Sequence, residues 1–447
     1  MTFGAIRTNK MSFGLNWTTM GGVFVFDQML LPMFHAGPVS LKISYFVLLL
    51  WLISKLVESP ASRPQSFPKR DFYIFALSMA VILGTGLIGE LWLSTTQTNV
   101  VHTEVFRISA FYLLTVLAFG LGLQSSRFNF NWLVWLFYSS VILTLLFIVF
   151  RSQLPGWLTS FYYPELAVKD MSGFDHIRSV SDLIELSRPL GLFGNPNISS
   201  HMINLNALMI YLALRKGLLR TSGVLGLGVV VFPLILAAMF ASRGEFIVAV
   251  ILGISNYRIM SKLNGQASGL RKILTAFIVV FSLFVAYIVA QEDEGIRSNI
   301  ERIGLLIDVV SESEKVRTDQ AMDEDVYEGA IGSSRYFLFL RAGAIERWLH
   351  SPFLGTGFGN ASHFPFNAET RYYHNDWARL FVTSGLLGFS IIIVLLHRFA
   401  WPLGWPVLIP WIFPGLINSF MLVYPAFMFY WFMLGVFNQK TRLNQAS

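Results

Sequence analysis

Residues 372–396 read YYHNDWARLFVTSGLLGFSIIIVLL, and this stretch decides the fold because it turns from polar to apolar within the length of one helix. From Asp376 onwards, Arg379 is the only basic side chain in about 20 residues, the length that crosses the hydrocarbon core of a bilayer. His374 and Asn375 stand immediately before this segment. The sequence therefore predicts a membrane helix with ionisable and polar groups at its amino-terminal end.

The whole chain shares this apolar character. Of its 447 residues, 54% are hydrophobic and only 13% are charged, and the mean hydropathy is +0.57. This composition is typical of a polytopic membrane protein rather than of soluble domains. The chain has no Cys, which excludes disulfides, thiolate metal sites and a cysteine nucleophile. In such a protein the formal net charge of +7 is read loop by loop, as a guide to topology.

About twelve apolar stretches have roughly the length needed to span a bilayer. They lie at 19–35, 41–57, 72–91, 108–124, 131–150, 200–214, 222–241, 245–256, 273–290, 376–396, 403–420 and 423–437. Every second loop between them is basic, so the positive-inside rule predicts that these loops and both termini are cytoplasmic. The two long loops then lie on the outer side of the membrane.

These boundaries predict an all-α fold divided into five parts. The parts are helices 1–5 in residues 1–150, an outer loop in 151–199, helices 6–9 in 200–290, a large helical outer loop in 291–374, and helices 10–12 in 375–447. Within the large loop, apolar residues recur from Ile296 to Val310 at the spacing of an amphipathic helix. The acidic run that contains Asp323-Glu324-Asp325 is interpreted as solvated charge rather than as a metal-binding D-x-D motif.

Ionisable groups at the ends of membrane helices are costly to bury, and by default they indicate a site that faces a cavity. Arg243 lies at the outer junction of the seventh and eighth helices, where a helix cap or a snorkelling side chain is an equally good explanation. Arg188 precedes the turn signal Asn195-Pro196-Asn197. There, a loop that re-enters a helix is the favoured interpretation.

The approach to the opening stretch, RAGAIERWLHSPFLGTGFGN, begins at Arg341. Its glycines Gly355, Gly357 and Gly359 superficially resemble a nucleotide-binding loop, but no strand precedes them and no G-K-S/T follows. A tight turn on the outer side is the favoured interpretation.

His374 is the residue best suited to chemistry. A lone His at a helix amino terminus is usually structural, but a neutral imidazole can also take a proton from a hydroxyl near neutral pH. Asp376 and Arg379 follow it within two turns. Gly385 and Gly388, at small-x-x-small spacing, are expected to let another helix pack closely and to fix His374 at the outer mouth of the bundle.

The segment HNDWARLFVTSGLLG resembles H-[N/S/Q]-x9-G-x-x-G, the signature of the bacterial O-antigen ligases and the related polysaccharide repeat-unit polymerases. His374, Asn375, Gly385 and Gly388 fill its fixed positions. The large outer loop that ends at the motif agrees with the architecture of this family, as does the S-R-G at Ser242-Arg243-Gly244. An Arg followed by an amphipathic segment and P-x-x-G-x-G also agrees. The resemblance covers roughly residues 185 to 400.

The resemblance implies a metal-independent glycosyltransferase of the membrane C-type architecture, without a cofactor, on the outer (periplasmic) face of the bacterial inner membrane. Its donor would be a glycan on an undecaprenyl-type polyprenyl diphosphate, and its acceptor a saccharide hydroxyl. His374 would act as the general base, Arg243 and Arg335 match the diphosphate-binding arginines of the family by position, and Arg188 would be a third. The supporting residues would be Asn375, Asp376, Arg379, Arg341, Gly385 and Gly388.

Several alternatives share these residues. A repeat-unit polymerase is favoured because such enzymes are more numerous than ligases, which transfer the glycan to lipid A core; an oligosaccharyltransferase with a protein acceptor is a third member of the class. A chain-length regulator is a candidate partner, and nucleic acid is not. A transporter or flippase for the same lipid-linked glycan is the alternative from another class, for which inverted repeats would be expected. No His pair shows the spacing of a helical zinc motif.

Overall fold

The computed structural model of the protein is a bundle of apolar helices with two short β-hairpins. It describes residues 16–31, 34–36, 39–57, 67–94, 102–149, 192, 196–220, 223–240, 243–263, 348–358, 363–366, 369–372, 376–412, 421 and 424–446. The predicted helix at 273–290, the acidic run and most of both long outer loops lie outside these residues.

The amino-terminal part of the bundle forms where the sequence predicts it. Its helices are α1 (Trp17–Leu30), α2 (Ile43–Val57), α3 (Lys69–Ser94), α4 (His102–Gln124) and α5 (Asn131–Val149). The first helix starts at a side-chain cap, since the Asn16 side chain accepts a hydrogen bond from the backbone N–H of Thr18. An antiparallel hairpin, β1 (Phe34–Ala36) and β2 (Val39–Leu41), joins α1 to α2. The all-α prediction did not include it.

The carboxy-terminal part contains α6 (Pro196–Arg215), α7 (Gly223–Met239), α8 (Arg243–Leu263), a second antiparallel hairpin of β3 (His363–Phe366) and β4 (Glu369–Tyr372), α9 (Asp376–Leu395), α10 (Ile409–Ile412) and α11 (Tyr424–Ala446). The predicted helix at 403–420 is not continuous over its described part, 403–412, where α10 is the α-helical portion. Short 3-10 turns at Trp401–Leu403 and Trp405–Leu408 precede α10, each with a Pro in its first turn and with Gly404 between them at a positive φ of 106°.

Three helical segments among the described residues are long and apolar enough to cross a membrane: Lys69–Leu91, Val105–Gln124 and Asp376–Leu403. Shorter apolar helices lie at Ile43–Val57, Asn131–Phe147, Leu225–Ala237 and Glu245–Ser255. Large apolar side chains also point outward, since Leu91, Phe106 and Trp135 are 70%, 71% and 74% exposed. Such a surface suits lipid rather than water, so the apolar helices indicate membrane association.

Helix α11 lies at the centre of the bundle, because every side chain from Ala426 to Leu434 is fully buried. A helix that is buried on all sides must be apolar all round, and this segment reads AFMFYWFML. Its closest neighbour is α4. A Cβ on Gly122 would lie 2.1 Å from the carbonyl oxygen of Phe432, and one on Gly435 would lie 2.6 Å from that of Phe119. Glycines therefore allow the two backbones to touch.

The helix ends form two groups, which we name the inner and outer ends of the bundle after the topology that the positive-inside rule predicts. At the inner end, Asp71 at the start of α3 accepts a hydrogen bond of 2.6 Å from Arg398, just after α9, and also forms a salt bridge with Arg442 of α11. At the outer end lie the starts of α9 and α11, at Asp376 and Tyr424. The inner end thus collects arginines that the positive-inside rule predicts to lie together.

Candidate functional site

Helix α9 is broken at Gly385, which has φ of 61° and ψ of −167°. This combination lies in a region of backbone conformation that is essentially restricted to glycine. In an unbroken helix the amides of Leu386 and Leu387 would donate to the carbonyls of Val382 and Thr383, four residues earlier. The break opens both of these hydrogen bonds in the outer third of the helix.

The segment 352–357 fills the break with backbone hydrogen bonds in both directions. Thr356 and Gly357 donate to the freed carbonyls of Val382 and Thr383 at 2.7 and 3.2 Å. In return, the freed amides of Leu386 and Leu387 donate to the carbonyls of Pro352 and Phe353 at 2.9 and 3.1 Å. Four hydrogen bonds thus replace two, and all four freed backbone groups have a partner. We refer to segments 352–357 and 382–387 together as the glycine clasp.

Glycine is required where the two segments of the clasp meet. A Cβ on Gly355, which has φ of 80°, would lie 2.4 Å from the backbone of Thr383, and one on Gly385 would lie 2.4 Å from that of Phe353. A Cβ on Gly357, which has φ of 93°, would lie 2.4 Å from the backbone of Glu90 on α3. These contacts explain the P-x-x-G-x-G pattern by close backbone approach as well as by turn geometry.

The clasp corrects the role predicted for one of the motif glycines. Gly385 was expected to admit a neighbouring helix, but it admits a loop, because the break exposes hydrogen-bonding groups that a second helix could not satisfy. Gly388 does face a helix, since its Cβ would lie 3.6 Å from the hydroxyl of Thr85 on α3.

A small pocket opens beside the clasp at the outer end, between α4, α9 and the start of α11. Its wall is largely aromatic and includes Phe111, Tyr112, Phe358 and Tyr424. Neighbouring ring centroids along this wall are 4.4 to 5.7 Å apart. Arg379 is the charged residue of the lining. We refer to this cavity as the Arg379 pocket.

Arg379 is a buried cation, with only 7% of its surface exposed. In the described part of the chain, no hydrogen bond or salt bridge engages its guanidinium group. Asp376, one turn earlier and fully buried, is used differently: its Oδ2 accepts a hydrogen bond of 2.9 Å from the backbone N–H of Met421, another residue of the pocket wall. A second cation lies nearby, because the guanidinium carbon of Arg107 is 5.5 Å from the ring centre of Tyr424.

A second polar cluster lies at the starts of α6 and α8. The Nδ1 of His201 is 2.8 Å from Oε1 of Glu245, and the side-chain amide of Asn204 donates to Oε2 and to the backbone carbonyl of Glu245, both at 2.8 Å. All three residues are buried. The cluster fixes the first turn of α8, which begins at Arg243.

The sequence-predicted site residues divide into two groups. Asp376, Arg379, Gly385 and Gly388 are described, and all lie on α9, in or near the clasp and the Arg379 pocket. The side chain of Arg243 lies outside the described residues, although its backbone begins α8. His374, Asn375, Arg188, Arg335 and Arg341 also lie outside them. The convergence of His374 with Arg243 and Arg335 stays a prediction.

Sequence reasoning missed the other members of the site. Tyr112, Phe358 and Tyr424 come from three separate segments, and aromatic residues are so frequent in this chain that none of the three is conspicuous. His201 also has no local signal, because its partner Glu245 is 44 positions away. Within the described ranges, no three His, Asp or Glu side chains are placed to hold a metal ion.

Searches against models of protein families, curated proteins and solved structures find no match to this chain. The motif residues and the geometry of the outer end are therefore the features that indicate a function.

Proposed function

We propose that this protein is a multi-pass glycosyltransferase of the bacterial inner membrane that moves a glycan from a polyprenyl diphosphate to a saccharide hydroxyl. In this proposal about twelve helices span the membrane, both termini are cytoplasmic, and the outer end of the bundle faces the periplasm. One observation carries the proposal. The H-N-D motif leads directly into α9, whose first turns place the buried Arg379 in an aromatic pocket at the outer end.

The proposed reaction replaces one bond at the anomeric carbon with another, and separate residues act on the attacking oxygen and on the leaving oxygen. The acceptor oxygen forms a bond to the anomeric carbon of the donor while the bond from that carbon to the diphosphate oxygen breaks. His374 takes the proton of the acceptor hydroxyl, which makes this oxygen a better nucleophile. The leaving polyprenyl diphosphate gains negative charge, and the arginines Arg243, Arg335 and Arg188 stabilise it through paired N–H donors.

The described geometry supports this assignment at two points. The cluster of His201, Asn204 and Glu245 holds the start of α8, so Arg243 would project from a fixed helix end rather than from a loose loop. The glycine clasp holds the outer segment of α9 against α3, so the residues just before Asp376 would start from a fixed position. Catalytic groups need such fixed supports, because small displacements are costly in rate.

The depth of the buried charges favours an enzyme over a transporter. The buried Asp, Glu, Lys, Arg and His side chains that the structure describes lie within about two turns of a helix end. Examples are Asp71 and Asp376 at helix starts and Glu90 near the end of α3. A transporter for a charged lipid-linked glycan is expected to place such groups near the midplane.

The test is to give the purified protein a polyprenyl-diphosphate-linked repeat unit in the presence of a chelator, without a second acceptor, and to separate the products by size. The favoured polymerase makes a ladder. A ligase makes no ladder but gives one shifted product after lipid A core is added. If neither product forms and the donor instead crosses the bilayer of reconstituted vesicles, the enzyme proposal is wrong and the transporter is right.

A further inference from the structure

Cations and tryptophans surround the two 3-10 turns that follow α9 at the inner end of the bundle. Arg215 is the last residue of α6 and Lys216 follows it, while Trp401 and Trp405 begin the two turns. We infer that these four residues, named here the inner lipid site, bind one anionic phospholipid, with its phosphate on the two cations and its glycerol and upper acyl chains beside the tryptophans. The inference does not depend on the proposed reaction, because this site and the Arg379 pocket are at opposite ends of the bundle.

Both cations of the inner lipid site lie against the backbone of the turns. The Nζ of Lys216 donates a hydrogen bond of 3.5 Å to the carbonyl oxygen of Pro402. A Cβ on Gly404 would lie 2.2 Å from Nη1 of Arg215, so the guanidinium group lies directly against the backbone of Gly404. The positive φ of Gly404 favours glycine there in any case. Two neighbouring cations of α6 thus contact one short segment beside the tryptophans.

These two cations lack the acidic partner that other arginines of the inner end have. Arg398 and Arg442 share the carboxylate of Asp71, which is the only Asp or Glu of the inner end among the described residues. In that part of the chain no salt bridge engages Arg215 or Lys216, and both residues are exposed. The planar fork of Arg matches two phosphate oxygens, and Lys adds a point charge. A phosphate can therefore bind both cations without displacing a carboxylate.

The inner lipid site lies at the depth of the lipid headgroups. Helix α6 has 20 residues, which span about 30 Å, the thickness of the hydrocarbon core. Arg215 at its end is therefore at the boundary of that core. Trp401 and Trp405 are 56% and 51% exposed, and tryptophans are enriched at this boundary because the indole ring has an apolar body and a polar N–H. Exposed tryptophans beside the cations favour a lipid over a soluble anion.

The turns that carry the tryptophans are fixed to the bundle. Leu403 and Val407, which alternate with the exposed tryptophans along the chain, are buried. The hydroxyl of Tyr430 on α11 donates a hydrogen bond of 2.9 Å to the carbonyl oxygen of Val407. A lipid on this surface would bridge the end of α6 and the turns after α9. Because the bridge exists only in the folded protein, the lipid should also stabilise the fold.

The test measures the melting temperature of the full-length protein in detergent during titration with dioleoyl phosphatidylglycerol. Dioleoyl phosphatidylcholine has the same acyl chains without a net charge, and glycerol 3-phosphate has the phosphate without the chains. A ligand that binds the folded protein raises its melting temperature, so the three titrations give apparent affinities. We expect phosphatidylglycerol to bind at least about tenfold more tightly than either of the other two ligands.

Variants then locate the binding site. The double variant Arg215→Gln/Lys216→Gln should weaken the binding of phosphatidylglycerol about tenfold or more and leave that of phosphatidylcholine unchanged. The matched control is Lys69→Gln/Arg70→Gln, which removes two exposed cations of the same end at the start of α3. This control should bind phosphatidylglycerol as the wild type does. Trp405→Ala should weaken the binding of phosphatidylglycerol severalfold, because the acyl chains lose an aromatic contact.

Three results would overturn the inference. They are equal affinities for phosphatidylglycerol and phosphatidylcholine, equal affinities for phosphatidylglycerol and glycerol 3-phosphate, which would mean a free phosphate site, and equal losses in the two double variants, which would mean diffuse attraction of anionic lipid to a basic surface. If a double variant does not fold, the corresponding single variants replace it, with an expected loss of about threefold for each cation of the inner lipid site and none for each control.

Discussion

Buried charged side chains have different partners at the two ends of the bundle. At the inner end the buried group is an anion, Asp71, and two partly exposed arginines hold it, with side chains that are 37% exposed in Arg398 and 44% exposed in Arg442. At the outer end a cation, Arg379, is buried as well as the anion Asp376, and no salt bridge in the described part of the chain holds Arg379. The carboxylate of Asp376 instead accepts a hydrogen bond from a backbone N–H.

This difference separates groups that stabilise the bundle from groups that serve a ligand. The inner cluster joins α3, the end of α9 and α11 at little cost, because Asp71 has two charged partners and both arginines keep partial access to water. The outer end keeps a buried cation, a broken helix and a glycine clasp, all of which cost stability. Proteins retain such features mainly at functional sites.

The largest expected effect is at His374. His374→Ala removes the proposed general base and should lower the rate of glycan transfer by about 10²–10⁴-fold. Because the residue stands in the sequence before the first residue of α9, Asp376, the melting temperature should change little. The rate is measured from product accumulation at saturating donor. Transfer at the wild-type rate would remove His374 from the mechanism and, with it, the outer end as the catalytic end.

The next effect is on the glycine clasp. Gly385→Ala puts a side chain into a glycine-only conformation and 2.4 Å from the backbone of Phe353, so it should destabilise the protein by about 2–4 kcal/mol and reduce transfer. The control is Gly84→Ala on α3, where a Cβ would meet no atom within 4 Å. Thermal unfolding of both variants in detergent measures the difference. Equal melting temperatures would mean that the clasp does not hold α9.

A smaller effect is expected at the start of α8. Arg243→Lys keeps the positive charge but loses the planar fork that binds two phosphate oxygens, so the catalytic efficiency should fall about tenfold. Glu245→Gln is informative beside it, because it weakens the contact with His201 that fixes the same helix start. Steady-state kinetics with varied donor concentration provide the values. Full activity of Arg243→Lys would show that the fork geometry is not used.

The smallest effect is at the inner end. Asp71→Asn loses the charge that Arg398 and Arg442 share and should lower stability by about 1 kcal/mol, since both arginines are partly exposed to solvent. The loss should shrink further in high salt, because partly exposed ion pairs are screened. Transfer per folded molecule should not change. A drop in transfer at unchanged folding would contradict the assignment of the inner end to stability and of the outer end to catalysis.

Most of the helical framework could be predicted from the sequence, because a spanning helix needs a long apolar segment and little else. The predictions at 131–150 and 200–214 correspond to Asn131–Val149 and Pro196–Arg215. The prediction at 403–420 missed the break before α10, because hydropathy ignores Pro402, Gly404 and Pro406, which impose 3-10 turns.

The site could be predicted only for those of its residues that stand close together in the sequence. The H-N-D motif and Arg379 stand within six residues of each other, so their place at a helix start is readable from sequence alone. The clasp could not be predicted from the sequence, because Thr356 and Val382 are 26 positions apart and contact each other through backbone atoms. The pocket wall joins residues of α4, α11 and the clasp loop, which only packing brings together.

The most direct test of the contrast between the two ends compares transfer by Arg379→Gln and Asp71→Asn, each normalised to the amount of folded protein and run beside the wild type. A polyprenyl-diphosphate-linked repeat unit is the donor, and initial rates are measured at low donor concentration. Arg379→Gln should be at least about tenfold slower, because it removes the buried positive charge of the outer end, and Asp71→Asn should match the wild type. Equal rates in all three proteins, or a loss confined to Asp71→Asn, would contradict the assignment of the outer end as the active site.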